Sequence, residues 1–122
     1  MIVRSLQPSD IPAIIHLGAR MHEESQYSPL NFDPQRVADR CCQIIDCPDT
    51  LIGLVAVDAG EIIGMMGGQI APYEYGDELT ASDVLVYVKP EYRGSRAFIM
   101  MVKGYVAWAR SRGAKLIFLN QT

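Results

Sequence analysis

The stretch from Asp83 to Leu119 constrains the fold more than any other part of the chain. Asp83 to Val88 is rich in β-branched and aliphatic residues and is stopped by Pro90, which cannot donate to a ladder; it reads as a strand. Arg93-Gly94-Ser95 makes a tight turn. Ala97 to Arg112 then carries Phe98, Met101, Val102, Tyr105 and Ala109 at helical spacing. Gly113 suits the left-handed residue that ends a helix, and Lys115 to Leu119 is a second apolar run. Strand, helix and strand in that order require a right-handed crossover, which sets the two strands parallel in one sheet.

The earlier segments supply the rest of that sheet and two more helices. Residues 2–6 read as a strand. Pro8-Ser9-Asp10 starts a helix with apolar positions Ile11, Ile14, Ile15, Gly18 and Met21. Pro12 fits its first turn, where the missing amide has no intrahelical partner. Ser25 to Asn31 reads as a loop. Asp33-Pro34 is an N-cap with proline at the first helical position, Phe32 and Val37 are spaced as a hydrophobic staple, and Val37, Cys41, Ile44 and Ile45 form the buried stripe. Leu51 to Val57 and Ile62 to Ile70 are strands joined through Asp58-Ala59-Gly60-Glu61 as a hairpin. Gly64, Gly67 and Gly68 in the second of these predict a bulge or a close approach of another group. Residues 74–80 are polar and read as a loop. The predicted fold class is α/β (α+β): a mixed, mostly antiparallel sheet with helices on both faces.

A length of 122 residues suits a single domain spanning 1–122. The formal charge of −3 gives no general attraction to nucleic-acid phosphates, so no nucleic-acid partner is expected. No apolar run approaches bilayer-spanning length, and Met1 to Ser5 lacks the pattern of a secretion signal; no membrane partner and a cytoplasmic location are expected. Cys41, Cys42 and Cys47 have neither Cys-x-x-Cys spacing nor a nearby histidine, which predicts reduced thiols, a packing role for Cys41, and no metal site. Arg93, Arg96, Lys103, Arg110, Arg112 and Lys115 crowd the last third, as a solvated face or around a local anionic ligand.

The segment Val86-Tyr87-Val88-Lys89-Pro90-Glu91-Tyr92-Arg93-Gly94-Ser95-Arg96-Ala97-Phe98 carries the chemistry. Amides in a first helical turn lack intrahelical acceptors and carry the positive end of the helix dipole, a ready anion site. Arg93 and Arg96 would add charge-assisted bonds. This stretch resembles the glycine-rich turn of the GNAT family of N-acetyltransferases, and Val57 to Gly64 resembles the family's second recognisable hairpin. Arg96 and Phe98 stand where the family usually has glycine and glycine or alanine.

The resemblance implies an acyl-CoA N-acyltransferase-like fold and acetyl-CoA as cosubstrate. Its pyrophosphate would lie on the amides of Arg93, Gly94, Ser95, Arg96, Ala97 and Phe98, and its pantetheine arm would run beside Val86, Tyr87 and Val88 like an added strand. It also implies direct acyl transfer to a small-molecule or protein amine, selected by the loops at 23–31 and 71–80. The family's glutamate base falls on Val84, which cannot serve; adjacent Asp83 is the candidate catalytic residue if a bulge turns it to the reacting face. Glu74, Tyr75, Asp77, His16 and His22 read as solvated or packed residues. The family's acid, a tyrosine past the last strand, has no counterpart before Thr122, so the carboxyl-terminal part of the family fold is expected to be absent and the exposed sheet edge to be covered by a two-fold homodimer. A non-catalytic acyl-CoA-binding module and a structural subunit are the competing readings.

Overall fold

The computed structural model describes residues 1–120, so the expected break in the family fold at Thr122 lies outside the described residues. Five strands form one sheet in chain order: β1 (Ile2–Ser5), β2 (Leu51–Asp58), β3 (Glu61–Pro72), β4 (Leu79–Val88) and β5 (Leu116–Phe118). Successive pairs from β1 to β4 are antiparallel, and β4 pairs with β5 in parallel. The helix of the crossover, α3 (Ala97–Ser111), packs on one face of the sheet; α1 (Ile11–Glu24) and α2 (Pro34–Asp46) cover the other. This is the mixed, mostly antiparallel sheet expected from the sequence.

Local chemistry explains the boundaries. The β2–β3 hairpin closes through Ala59 and Gly60, both at positive φ (49° and 79°), the signature of the two-residue turns that match strand twist. Asp33 Oδ1 accepts from Gln35 N at 2.9 Å as the N-cap of α2. Phe32 and Val37 both reach Gly18 of α1, so the staple also seats α2 on α1. β4 starts four residues earlier than expected, at Leu79, because β3 continues to Pro72 and the two close at once through Tyr73 N to Glu78 O, 2.7 Å. Polar Thr80 and Ser82 conceal this on the sequence, although Ala81 between them is fully buried.

Two cores result. Against α3 lie Leu54, Ile63, Met66, Met101 and Tyr105; under α1 and α2 lie Ile14, Leu17, Cys41, Val55 and Tyr87. The buried stripe of α3 is Ala97, Met101, Tyr105 and Ala109, each four residues from the last, which leaves Phe98 exposed instead of in the core. Cys41 is buried as expected, and burial pushes its thiol pKa up, while Cys42 and Cys47 are exposed.

The glycines of β3 serve both predicted purposes. A Cβ on Gly68 would stand 2.8 Å from the Tyr105 ring, so glycine there lets the fully buried tyrosine lie flat on the sheet. Immediately beside it the β3–β4 register slips: Gly67 faces Leu85 but Gly68 faces Asp83, leaving Val84 as the extra residue of a bulge.

Candidate functional site

β4 pairs with β5 only over Thr80 to Ser82, among the described residues. Beyond that point the strands part, and the β4 edge from Asp83 to Val88, paired with β3 on its other side, faces a gap. Two side chains from the α3 face fix the parting. Asp83 Oδ1 accepts from Asn120 N at 2.7 Å, and the Tyr105 hydroxyl donates to Phe118 O at 2.7 Å. Burial pushes the Tyr105 phenol up to about 12, with the charge of Asp83 adding to the shift.

A groove of about 250 Å3 opens at the carboxyl end of this edge. It gathers Val86, Val88, Arg93, Gly94, Ser95 and Phe98, all sequence-identified, together with Tyr92, which the sequence reading passed over. Pro90 to Tyr92 form a single 3-10 turn, Gly94 takes φ 89°, and Arg96 starts α3. The Ser95 hydroxyl accepts from Ala97 N at 3.3 Å, and Met100 N bonds back to Arg96 O at 3.0 Å, so the amides before Met100 are those of a helix start. The groove thus has an apolar wall, a free strand edge and a helix N-terminus, which suits an extended ligand with an anionic head.

Several expected contributors stand elsewhere. Ala97 is fully buried beneath the groove and can offer only its backbone. The Arg93 side chain turns to the α1 face: Nε donates to Val88 O at 2.9 Å, the guanidinium pairs with Glu24 at 3.1 Å, and it lies 5.3 Å from the centre of the Tyr87 ring. With the Arg20–Glu91 pair at 3.3 Å it laces the turn to α1, so Arg96, exposed at the helix start, is the arginine left to supply charge. Tyr87 is buried in the α1 core with its hydroxyl on Glu24. Burial and that carboxylate raise the Tyr87 phenol, and the same bond, with Arg93 behind it, holds Glu24 below the usual carboxylate range.

Asp83 requires a correction. The bulge exists, but it takes up Val84, not Asp83. Ala81 and Val88 both belong to the α3 core despite their opposite parity, so the extra residue resets the alternation between them. Val84 and Leu85 open onto the α1/α2 side, whereas Asp83 is buried on the α3 side, holding Asn120. Its position is that of a strut.

On the α1/α2 side lies a larger cavity of about 610 Å3, reaching from Val84 and Leu85 to the loop after α1. His22, expected to be incidental, lines it. Its Nε2 is 2.7 Å from Leu30 O, and a carbonyl can only accept, so Nε2 carries the proton and Nδ1 is the basic nitrogen of the neutral ring. Tyr27 lines the cavity as well, while Tyr73 and Tyr75 pack edge-on against each other in the β3–β4 loop. Among the described residues no group of histidine, cysteine and carboxylate side chains is arranged to hold a metal ion, and no helix is long and apolar enough to cross a membrane.

Comparison with known proteins agrees with this architecture. The acetyltransferase (GNAT) family model matches residues 17–122. An acetyltransferase from Trypanosoma brucei is 19% identical with a TM-score of 0.72, covering 98% of this chain and 82% of its own. Glucosamine-6-phosphate N-acetyltransferase from Arabidopsis thaliana is 17% identical with a TM-score of 0.78, covering 98% and 81%. An integron cassette protein from a salt-marsh metagenome is 13% identical with a TM-score of 0.86, covering 98% and 76%. No curated protein matches in sequence. The chain belongs to the GNAT family of acetyltransferases.

Proposed function

We propose that this protein transfers the acetyl group of acetyl-CoA to an amine. The observation that carries the reading is the groove at the parting of β4 and β5, where a free strand edge runs into a glycine turn and a helix start. The amides of residues 93–98 hold the pyrophosphate, assisted by Arg96. The Val86–Val88 edge takes the pantetheine arm by strand addition; Tyr87 contributes through its backbone, since its side chain is committed to Glu24.

Acetyl-CoA supplies an activated thioester; the chain supplies placement and proton transfer. A β4 edge amide beside the bulge polarises the carbonyl. The amine nitrogen forms the new C–N bond, the C–S bond breaks, and the amine proton passes to His22 Nδ1, directly or through water, and on to the departing thiolate. The apolar cavity helps by favouring the neutral, nucleophilic amine over its ammonium form.

Calorimetric titration with acetyl-CoA and turnover with a panel of amines test this together. Proline cannot adopt the positive φ of Gly94, so a folded Gly94→Pro variant is expected to lose about tenfold or more in acetyl-CoA affinity. His22→Gln is expected to keep acetyl-CoA affinity and lose turnover. Unchanged affinity in Gly94→Pro removes the cofactor site, and full turnover in His22→Gln removes the assigned base. Binding without turnover on any amine leaves the competing reading, a non-catalytic acyl-CoA module.

A further inference from the structure

The cavity over the bulge is charged in one sense. Its walls are largely apolar, with Ile14, Met21, Phe32, Val37, Ile44 and Leu85 among them. The cations that reach it are Arg36 and Arg40, one turn apart on α2, and among the described residues no aspartate or glutamate lines it. Neither arginine is strongly neutralised. The nearest carboxylate to Arg36 is Asp33, at 4.0 Å and well exposed, and Arg40 bonds to the uncharged amide of Gln43 at 2.8 Å.

An acceptor must bring its amine to β4, where Val84 and Leu85 form the floor. Any group at the α2 rim meets two guanidiniums instead. A polycation would be repelled there without a carboxylate to receive it, while an anion gains charge-assisted hydrogen bonds. Between the two ends the lining favours hydrocarbon or an aromatic ring.

We infer that the acceptor is a primary amine joined through an apolar body to a carboxylate, the amine directed to the β4 bulge and the acid to Arg36 and Arg40. This rests on the acetyl-transfer reading and narrows it. Aminoglycoside-like and polyamine acceptors are thereby disfavoured.

The test uses ω-aminooctanoate, octylamine and kanamycin, measured by thiol release and by calorimetric binding with and without acetyl-CoA. Aminooctanoate should exceed octylamine by about tenfold or more in kcat/KM and in affinity. In an Arg36→Gln/Arg40→Gln variant that advantage should vanish, with octylamine and acetyl-CoA binding unchanged. A preference for kanamycin, equal treatment of the two octyl amines, or an advantage that survives the double substitution overturns the inference. Failure of acetyl-CoA to bind instead overturns the transfer reading, and acceptor binding measured without it still decides the carboxylate question.

Discussion

Asp10 closes the first turn of the chain with a carboxylate that is 4% exposed. Arg4 reaches it through both terminal nitrogens at 2.7 and 2.9 Å, and Gln7 N donates to it at 2.8 Å. The Arg4 bonds hold its pKa below the usual carboxylate range; burial opposes the shift, and the Gln7 amide reinforces it. A carboxyl whose folded pKa lies below its unfolded value stabilises the protein fully above the unfolded value, about 4, and loses that contribution as pH falls through the folded one. Urea unfolding is therefore expected to show a stability decline below about pH 4 that is smaller in Asp10→Asn. Near neutral pH that variant should be less stable by about 1–3 kcal/mol, since it leaves Arg4 facing a neutral amide. Equal stability of the two proteins near neutral pH would show that this buried pair contributes nothing net.

At the scale of elements, the parting of β4 and β5 is the feature on which the cofactor groove depends, and Asp83 and Tyr105 hold it. Asp83→Ala should destabilise the protein by about 1–3 kcal/mol and speed hydrogen exchange in β5, whereas Asp83→Asn keeps an acceptor for Asn120 N and should retain most stability and turnover. A stable but inactive Asp83→Asn protein would instead mark Asp83 as the base. Tyr105 adds an alkaline limit: its pKa is raised, so its contribution is complete below about 10, its unfolded value, and is lost as pH rises toward the folded value of about 12. The strand–turn–helix–strand unit is legible in the sequence because its signals are local: Pro90, Gly94, Gly113 and a four-residue apolar repeat. The face of Asp83 is not legible, because it depends on which residue the bulge absorbs. That choice is made across the sheet, where Gly67 and Gly68 meet β4 and Gly68 meets Tyr105. The Arg93 side chain escapes for a like reason, since its partners Glu24 and Tyr87 come from elements far away in sequence. The role of His22 in the cavity wall depends on Leu30, eight residues on, through a loop that no periodicity describes.

For the molecule as a whole, the sheet ends on one side at β1 and on the other at β5. β5 is three residues long, pairs with β4 on one side, and presents Leu116, Phe118 and Leu119 at 56%, 45% and 44% exposure. A sheet edge with unpaired backbone groups and apolar side chains beside it is a template for another strand. A second copy of this chain satisfies both needs at once if two β5 edges meet about a two-fold axis, since the same patch then serves on each side. The β1 edge is less suited to this, because Met1 carries its amino group against Asp58 at 3.6 Å and charge borders the strand there. Light scattering on the purified protein should therefore show a mass that rises toward a dimer with concentration. A lysine at position 116, introduced as Leu116→Lys, should return it to a monomer, because two edges that pair would bring like charges together. The substituted side chain is exposed and outside the acetyl-CoA groove, so cofactor affinity should be unchanged in the same protein. A monodisperse monomer at every concentration, before any substitution, would show that this edge is tolerated without a partner.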